Sequence, residues 1–335
     1  MIMRSLSLIL LIASLYGFSS LGKAAESLPQ RPDVRTFIRD MSRKHHFSAS
    51  ELNKIFQDVT IQEKILEAMA KPYEAKPWHV YRKLFLTEKR IQSGVDFWGK
   101  NAAALKATAS KYGVPAEVIV AIIGIETSYG QSPGKYRVID ALSTLAFAYP
   151  KRAEFFRREL EEFLVLCREE HMNPGSPTGS YAGAMGMPQF MPSSYRRYAA
   201  DGDGDQRRDI WNNPADAIAS VARYFSVHGW QSGEPVAFPA SVNGAVHERL
   251  ANGNLKPSRT LQEWLSLGVI DSSASLPANV KAALVKLDEE TGPVYWLGLH
   301  NFYVITRYNH SPLYAMAAYE LSRELVSRRS AGSSS

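Results

Sequence analysis

The sequence predicts a mainly α-helical protein with a small β part, and three observations support this prediction. From Pro32 to His228 the apolar residues recur mostly at helical spacing. From Gln231 to about Asn301 the chain changes to short alternating segments among Gly, Pro and Ser, which is typical of strands and turns. Helical spacing then returns near the C-terminal end. The 335 residues are 45% apolar and 11% aromatic, which is ample for a folded core.

The N-terminal segment, residues 1–25, has the layout of a secretory signal peptide. Arg4 precedes an apolar stretch that begins at Leu6, and small residues follow, so cleavage is expected near Ala24 or Ala25. An N-terminal membrane anchor is the alternative, but the apolar stretch is shorter than the ~20 residues that a spanning helix needs. No cysteine stands directly after this segment, where a lipid could be attached, so we expect no lipid anchor and a soluble, periplasmic mature protein.

Charge and cysteine usage exclude several function classes. The net charge of +6 is spread along the chain without a basic block, which suits an anionic polymer and does not indicate nucleic acid. Cys167 is the single cysteine, so no internal disulfide can form. An export signal without disulfides fits a bacterial envelope protein better than a disulfide-stapled secreted protein. HExxH, GxSxG and phosphate-cradling Gly motifs are absent from the sequence, which argues against zinc protease, serine hydrolase and nucleotide chemistry.

The first helices are predicted in the region 26–112. "SASELNKIFQDV" places Ser48 three residues before Glu51, the spacing of a capping box. "TEKRIQSGVDFWGKNAAALKATASKYG" runs at helical period until Gly113, where a helix is expected to stop.

The later elements follow in order. "PAEVIVAIIGIE" begins with Pro115 in a first helical turn and is apolar nearly all round, so it predicts a buried helix. "KRAEFFRRELEEFLVLCREEHM" and "PADAIASVARYFSVHGW" predict amphipathic helices. "VAFPASV" and "VYWLGL" predict strands of a subdomain at 231–300. "SPLYAMAAYELSRELVSRR" predicts a last helix, before a frayed tail at 331–335.

Glu126 is the unusual residue of the buried helix. A carboxyl at the end of an apolar helix is desolvated, which raises its pKa and lets it hold a proton near neutral pH. We therefore predict a general acid. The alternative is an ordinary helix-end residue that points to solvent or pairs with a distant arginine.

A second unusual segment is "GSYAGAMGMPQFMPSSY", residues 179–195. Its glycines and prolines interrupt regular structure, while aromatic, Met and amide side chains lie between them. Such a segment brings backbone close to a ligand, and Ser180, Gln189 and Phe190 are the residues expected to hold it. A Gly-rich packing loop is the alternative.

An acidic loop follows in "DGDGDQRRDIW". Asp201, Asp203 and Asp205 occupy the first, third and fifth positions of an EF-hand-like loop, where carboxylates bind calcium. Gln206 stands where the turn usually has Gly, and Asn212 stands at the twelfth position in place of Glu. Two alternatives are therefore open: a structural calcium site, or a metal-free turn in which Arg207 and Arg208 supply the positive charge.

Four segments together resemble the lytic murein transglycosylase B family, whose members cleave peptidoglycan with a lysozyme-like catalytic core. They are "IIGIETSYG", "GSYAGAMGMPQFMPSSY", "NNPADAIASVARYFSVHGW" and "NFYVITRYNHSPLYAMA", in consistent order over roughly residues 33 to 328. The resemblance implies an α+β protein with a helical flanking domain at 26–112, a lysozyme-like core at 113–230 that includes the loop 201–216, the subdomain at 231–300 and a C-terminal segment at 301–330.

The resemblance also implies the chemistry. Glu126 matches the family's single catalytic acid, which would protonate the oxygen between N-acetylmuramic acid and N-acetylglucosamine and then deprotonate the muramoyl C6 hydroxyl, giving a 1,6-anhydro sugar. Ser180 and Gln189 match positions that orient the N-acetyl group and the sugar. No cofactor is expected for the chemistry.

The remaining family positions carry over as follows. Residues matching the lining of the glycan groove are Tyr81, Phe190, Tyr224, Tyr308, Asn309 and Tyr314, although each aromatic ring could instead be a core or surface residue. Arg152 matches a residue near the stem peptide, with a helix-face salt bridge as its alternative. Calcium ligation in the family implies that Asp216 and the backbone carbonyl of Arg207 complete the shell.

Two other functions are weighed against this one. A hydrolytic muramidase would cut the same bond with water and would need a second carboxylate ~5–9.5 Å from Glu126. A non-catalytic scaffold would bind glycan and recruit synthases. The expected partners are peptidoglycan glycan strands and other cell-wall enzymes, with no nucleic acid and no membrane anchor.

Overall fold

The computed structural model describes residues 27–70, 76–243, 249–271 and 276–332. These residues form a helix-rich body with a small antiparallel sheet, which confirms the predicted fold class. The predicted signal peptide lies outside the described residues. Within the described residues no single helix is both long and apolar enough to span a bilayer. The pair Ala102–Tyr112 and Ala116–Thr127 passes that test by length and composition, but it is bent by 114°.

The helices are numbered along the chain. They are α1 (Pro32–His45), α2 (Ala49–Gln57), α3 (Glu63–Met69), α4 (Trp78–Phe85), α5 (Glu88–Lys100), α6 (Ala102–Tyr112), α7 (Ala116–Thr127), α8 (Val138–Ala148), α9 (Ala153–Glu169), α10 (Pro192–Tyr198), α11 (Pro214–Val227), α12 (Leu261–Ser266), α13 (His300–Tyr308) and α14 (Pro312–Gly332). The strands are β1 (Tyr136–Arg137), β2 (Thr178–Gly179), β3 (Ala237–Val242), β4 (Arg259–Thr260), β5 (Val269–Asp271), β6 (Lys281–Glu289) and β7 (Gly292–Gly298).

Local chemistry explains several helix ends. The Ser48 hydroxyl accepts a hydrogen bond from the Glu51 backbone N–H at 3.5 Å, so one half of the predicted capping box is present. Both halves occur instead at Thr260 and Glu263, at the start of α12. Gly113 ends α6 with a φ of 69°, which confirms the predicted stop.

The single helix predicted before Gly113 is wrong in one respect, because it is broken into α5 and α6. Asn101 lies between the two, with φ −114° and ψ 22°, and its side-chain amide donates to the Phe97 carbonyl at 2.8 Å. A side chain that occupies a helical carbonyl in this way competes with the backbone ladder. The apolar period continues across the break, so the periodicity did not reveal it.

Helix α7 is the buried helix that the sequence predicts. Its residues from Val118 to Ile125 are all at most 8% exposed, and the helix packs against α5, α6, α11 and α14. Pro115 is the residue before the first helical turn, with ψ 142°, rather than a member of that turn as predicted. The last turn of α7 carries Glu126.

β1 and β2 form a two-stranded antiparallel sheet. The larger sheet has the strand order β4-β6-β7-β3-β5, and all its pairs are antiparallel. Its strands lie within the interval 231–300 that the sequence assigns to a subdomain. Val285 and Leu287 of β6 join the main core, whereas Leu284 joins a second cluster with Leu297 and Trp264. Alternating residues of one strand therefore serve two cores. The domain boundaries themselves stay predictions.

The C-terminal helix α14 extends to Gly332, two residues into the segment predicted as a tail. Residues 333–335 lie outside the described residues. The apolar side of α14, including Leu321 and Leu325, belongs to the main core beside α7. The helix thereby places Tyr314, near its start, next to the end of α7.

Candidate active site

A strained turn fixes the end of α7. Ser128, Tyr129 and Gly130 follow the helix with φ values of 50°, 62° and 84°, so the chain runs through three left-handed residues in succession. The Thr127 hydroxyl stabilises this turn, because it accepts from the Gly130 N–H and donates to the Met187 carbonyl, both at 3.0 Å. The same hydroxyl therefore ties the helix end to the Gly-rich segment.

Arg90 of α5 supports the same helix end, and the sequence analysis missed it. Its guanidinium donates to the carbonyls of Gly124 at 2.9 Å and Ile125 at 3.4 Å. A cation is favourable at this end of a helix, where the last carbonyls lack helical partners. Arg90 lies 36 residues before Glu126, and it is one of three successive charged residues, Glu88 to Arg90, so the sequence does not single it out.

Glu126 is half-buried at this helix end. Burial raises the pKa of its carboxyl from an ordinary 4.5 to about 7, and a hydrogen bond from the Tyr314 hydroxyl to Oε1, at 2.5 Å, opposes the rise. In the described part of the chain no Lys, Arg or His forms an ion pair with Glu126. The alternative of a carboxylate paired with arginine is thus not found among these residues.

Tyr308 and Tyr314 form the wall next to Glu126. Their rings are parallel, with an interplanar angle of 6° and centroids 6.4 Å apart. The Tyr308 hydroxyl donates to the Pro188 carbonyl at 2.5 Å, which joins α13 to the Gly-rich segment. Burial and the charge of Glu126 raise the pKa of both phenols well above 10, so both remain hydrogen-bond donors.

Asn309 and Tyr81 flank this pair of tyrosines. The side-chain carbonyl of Asn309 accepts from the Ser311 N–H at 3.2 Å, which shapes the short link between α13 and α14. Tyr81 is buried on α4, with its ring between those of Trp78 and Phe85, and its phenol contributes to the raised pKa of Tyr314. Tyr81 thus lies near Tyr314, and Asn309 directly follows Tyr308 in the chain. Their assignment to the glycan groove stays a prediction.

The Gly-rich segment folds back tightly on itself. Met185 and Phe190 exchange two backbone hydrogen bonds of 2.8 and 3.0 Å. A Cβ at Gly179 would lie 2.2 Å from the Ala184 carbonyl oxygen, so the close approach requires glycine there. The segment is therefore an ordered loop in which the backbone packs closely on itself.

Ser180 and Gln189 face a cavity from this loop. The Ser180 Oγ accepts from the Ala182 and Ala184 N–H groups at 3.3 and 3.1 Å, so its own proton is available to a ligand. Gln189 has a φ of 51°, and its amide nitrogen donates to the carbonyls of Pro133 and Gly186 at 3.0 and 2.9 Å. These bonds fix the amide and leave its oxygen as an acceptor.

The cavity has a volume of about 500 Å³ and begins directly after the turn that ends α7. Its lining joins Ser180 and Gln189 to the segment 131–136 and to Tyr181, which is 42% exposed. The sequence analysis missed this opposite wall. The signal that could have found it is the pair Pro133 and Gly134, which breaks regular structure soon after Glu126.

Phe190 and Tyr224 are buried, at 3% and 8% exposure, in an aromatic cluster with Tyr198 and Tyr308. The Tyr224 hydroxyl donates to the Arg307 carbonyl, and its ring stacks on His228 at 4.0 Å. Both rings thus pack against the ring of Tyr308. Their assignment to the glycan groove stays a prediction.

Arg152 lies apart from the other predicted residues. It is exposed at the start of α9, and its guanidinium lies over the Phe155 ring at 4.3 Å and the Phe156 ring at 5.4 Å. None of its described contacts reaches the neighbours of Glu126. The helix-face salt bridge considered for Arg152 is likewise not among the described ion pairs.

In the acidic loop, carboxylate oxygens of Asp201, Asp203 and Asp205 all lie within 4.8 Å of one another. Asp201 accepts from the backbone N–H groups of Gly204 and Gln206, at 2.6 and 2.8 Å. Gln206 has a φ of 69° and thus adopts the turn conformation that usually requires Gly. The loop is therefore ordered by its own backbone donors.

Asp216 lies beneath this loop and is fully buried. Its two oxygens accept from the Gly202 and Asp209 N–H groups, both at 2.7 Å, which fastens the two ends of the loop together. Arg208 pairs with Glu170 and not with the loop carboxylates. Arg207 is in none of the described ion pairs, so neutralisation of the loop by Arg207 and Arg208, the metal-free alternative, is not found among them.

Comparison with known proteins gives consistent matches. The family model "Transglycosylase SLT domain" matches residues 29–323. The chain is 43% identical over 308 residues to the membrane-bound lytic murein transglycosylase B of Escherichia coli K12, covering 89% of this chain and 84% of that protein.

Two solved structures extend the comparison to the fold. The soluble lytic transglycosylase SltB1 of Pseudomonas aeruginosa is 48% identical, with a TM-score of 0.85, and the match covers 89% of this chain and 100% of that one. The Escherichia coli lytic transglycosylase Slt35 in complex with calcium is 41% identical, with a TM-score of 0.81, over 90% and 94% of the two chains. The predicted resemblance is thereby confirmed: this chain belongs to the transglycosylase SLT-domain family.

Proposed function

We propose that this protein is a peptidoglycan lytic transglycosylase and that Glu126 is its sole catalytic acid and base. The observation that carries the proposal is a half-buried carboxyl with a pKa near 7, held at a helix end. The turn after this helix end leads directly into the segment 131–136, which lines a cavity. Family membership and the lytic murein transglycosylase activity named for its 43% identical relative support the same reaction. The bond cleaved is that between N-acetylmuramic acid and N-acetylglucosamine.

In the first step the protonated Glu126 carboxyl donates its proton to the glycosidic oxygen. The bond from that oxygen to C1 of the muramoyl residue breaks, and its electron pair stays on the oxygen of the departing N-acetylglucosamine. Because burial disfavours the charged carboxylate, the proton is held tightly enough to be present near neutral pH and loosely enough to be transferred. The Tyr314 hydroxyl then stabilises the carboxylate that forms.

In the second step the muramoyl C6 hydroxyl attacks C1 of the same residue. Its proton passes to the Glu126 carboxylate, which restores the starting state and leaves a 1,6-anhydro sugar. No water is consumed, and a second carboxylate has no role. The surroundings of Glu126 are consistent with a single catalytic carboxyl. Among the described residues, burial and the Tyr314 hydroxyl shift its pKa, and no other carboxylate contributes.

Ser180 and Gln189 orient the reacting sugar in this proposal. The free proton of the Ser180 hydroxyl and the fixed side-chain oxygen of Gln189 supply one donor and one acceptor to the same cavity. An N-acetyl group presents the complementary acceptor and donor. Because neither side chain must rotate to bind, little entropy is lost on binding.

The other assigned residues complete the glycan groove. Tyr308 and Tyr314 lie next to Glu126, and Tyr81 and Asn309 would extend this wall. Phe190 and Tyr224 hold Tyr308 in place, and Arg152 would meet a stem-peptide carboxylate farther away. Aromatic walls suit this substrate because ring faces cover the apolar faces of sugars.

The decisive experiment is mass analysis of the products from purified murein, with Glu126→Gln as the matched variant. We expect 1,6-anhydro-muramoyl ends from the wild type and none from Glu126→Gln, which should still bind murein. Reducing muramoyl ends would instead identify a hydrolytic muramidase. Binding without any cleavage by the wild type would identify a glycan-binding scaffold.

We further propose that the acidic loop binds a structural calcium ion. The clustered oxygens of Asp201, Asp203 and Asp205 are hard ligands of the kind that Ca²⁺ prefers, and the Arg207 carbonyl and Asp216 would complete the shell. A relative, Slt35, has been solved in complex with calcium. The ion would hold the loop together and take no part in bond cleavage.

Thermal unfolding tests the calcium proposal. Ca²⁺ added to chelator-treated protein should raise the melting temperature in a concentration-dependent way, because a ligand that binds only the folded state stabilises it. Asp203→Asn should abolish this response, and Mg²⁺ at the same concentration should give a smaller one. An identical melting temperature with and without Ca²⁺ would refute the site.

The proposal places the enzyme in the periplasm, exported by the N-terminal segment and associated with glycan strands and other cell-wall enzymes. The layout of residues 1–25 supports export. Fractionation of cells should recover a mature protein that begins near residue 25 in the periplasmic fraction. Recovery of the uncleaved chain with the membranes would favour the anchor alternative.

A further inference from the structure

A second cavity of about 900 Å³ lies beside the acidic loop. It is bounded by the end of α9, by the segment 171–178 and by the chain 206–212 that leaves the loop. The mechanism proposed above uses none of these side chains. The segment 176–181 contributes to both cavities, with Ser176 to Thr178 on this side and Ser180 and Tyr181 on the catalytic side. The two cavities are therefore neighbours.

Trp211 forms a fixed aromatic wall of this second cavity. Its indole N–H donates to the Thr178 carbonyl at 2.9 Å, and its ring lies 5.8 Å from the Tyr195 ring at an angle of 38°. The indole is only half-buried, although its one polar atom is already paired. A large, rigid and partly exposed aromatic surface beside a cavity suits an apolar ring face.

Most of the charged side chains that line the cavity already have partners. Glu170 pairs with Arg208, and Glu169 pairs with Arg196 at 2.7 Å, so these carboxylates are already neutralised. Asp209 also lines the cavity, and its carboxylate accepts from the backbone N–H groups of Trp211 and Asn212, both at 2.9 Å. Arg207 is exposed, and its guanidinium has no partner among the described residues. The cavity thus offers an unpaired cation next to an aromatic wall, and a ligand with a carboxylate would complement it.

We propose that this cavity binds a muramoyl unit of the glycan strand at a distance from the cleavage point. The sugar ring would lie against Trp211, and a carboxylate carried by the muramoyl unit would pair with Arg207. That carboxylate is either the lactyl group of a strand without stem peptides or a carboxylate of an attached peptide. The inference rests on the proposed function, since both cavities would hold one glycan strand. It also assigns the acidic loop a role in shaping the wall of the second cavity.

Binding to insoluble murein tests the proposal in the Glu126→Gln background, where cleavage cannot interfere. Adding Trp211→Ala or Arg207→Gln should weaken co-sedimentation with murein about tenfold, or about 1.4 kcal/mol. Arg158→Gln serves as the matched control, because Arg158 of α9 is also an exposed arginine, but it does not line this cavity and pairs with Glu154. Arg207→Gln leaves the backbone carbonyl proposed as a calcium ligand in place.

Two glycan preparations distinguish the sources of the carboxylate. If the lactyl group is recognised, Arg207→Gln should weaken binding to strands stripped of peptide. If a peptide carboxylate is recognised, the loss should be confined to peptide-bearing strands. Murein binding equal to that of the Glu126→Gln parent in both variants would overturn the proposal.

Cleavage activity, measured in protein that retains Glu126, separates this inference from the proposed function. The ratio of kcat/KM on intact murein to that on a soluble tetrasaccharide should fall about tenfold for Trp211→Ala. Trp211→Phe keeps a ring on the wall and should restore most of the ratio, which guards against a folding defect. An equal loss on both substrates would overturn the distal site, and absence of cleavage by the wild type would refute the proposed function instead.

Discussion

Two opposing effects set the pKa of the Glu126 carboxyl. Burial at the end of α7 disfavours the carboxylate, while the hydroxyl of Tyr314 favours it by donating a hydrogen bond at 2.5 Å. Burial is the larger effect, and the resulting pKa of about 7 lies in the range where a group can both give and take a proton. The chemistry therefore depends on a local balance between solvation and one donor.

The pH dependence of activity should report this balance. A general acid must be protonated at the start, so kcat/KM on a soluble muropeptide should fall as the pH rises through about 7. Tyr314→Phe removes the donor that favours the carboxylate, so the fall should move to higher pH, with a lower kcat. A pH profile that is unchanged in Tyr314→Phe would show that this hydrogen bond does not tune Glu126.

The same pKa shift predicts a pH-dependent cost in stability. Because the folded-state pKa of about 7 exceeds the ordinary 4.5, the carboxyl stabilises the fold fully below pH 4.5 and loses this contribution as the pH rises through 7. Glu126→Gln cannot ionise, so at pH 8 it should be more stable than the wild type by up to about 3 kcal/mol. At pH 4 the two should be nearly equal. Urea unfolding at both pH values tests this, and a difference independent of pH would contradict it.

At the scale of elements, packing against neighbouring helices fixes the position of α7 and therefore of Glu126. The Tyr129 ring lies over two glycines, Gly94 of α5 and Gly124 of α7, and packs against Phe97 at 5.5 Å. Arg90 holds the last carbonyls of the helix. The small residues permit close approach of two helices and a ring, and the ring in turn fixes the strained turn after Glu126.

A pair of glycine substitutions tests this close approach. A Cβ on Gly124 would lie 2.5 Å from the Tyr129 hydroxyl oxygen, so Gly124→Ala should destabilise the protein by about 1–3 kcal/mol despite the better helix propensity of Ala. Gly99 of α5 has nothing within 4 Å of such a Cβ, so Gly99→Ala should stabilise by about 0.5–1 kcal/mol. Denaturant unfolding measures both. Equal effects of the two substitutions would show that the ring is not tightly packed on Gly124.

At the scale of the whole molecule, a buried asparagine joins the sheet subdomain to the helical body. Asn301 is completely buried at the point where the chain returns from the sheet. Its side chain accepts from the Gln231 N–H at 2.9 Å and donates to the carbonyls of Gln231 and Glu234, at 2.8 and 2.9 Å, where the chain leaves for the sheet. The side-chain amide of Asn301 therefore links the two chain segments that connect the sheet to the helical body.

Asn301→Ala should destabilise the protein by about 2–4 kcal/mol, because buried backbone groups would lose their partners. Asn252 makes similar bonds to the Lys286 backbone, at 2.9 and 3.1 Å, but it is exposed and has a φ of 58°. Asn252→Gly suits that φ and should cost less than about 1 kcal/mol, because water replaces the lost bonds. Thermal and urea unfolding would compare the two, and an equal cost would show that burial does not matter here.

The sequence predicted much of this architecture because burial leaves a periodic mark on a helix. The apolar run of α7 predicted a buried helix, and the turn residues after Gln231 predicted a strand-containing part. The break at Asn101 escaped, because the apolar period on both sides of it is unchanged. The missing half of the capping box at Ser48 depends on a rotamer that spacing does not specify.

The sequence by itself determined which residue types are available: one carboxyl at the end of an apolar helix, a glycine-rich segment and an acidic loop. Only the tertiary structure decided how these residues act together. Tyr314 lies 188 residues from Glu126, and Arg90 and the segment 131–136 belong to other elements, yet all meet at one helix end. The physical reason is that periodicity records whether a face is buried, whereas solvation, hydrogen bonding and pKa depend on which distant atoms cover that face.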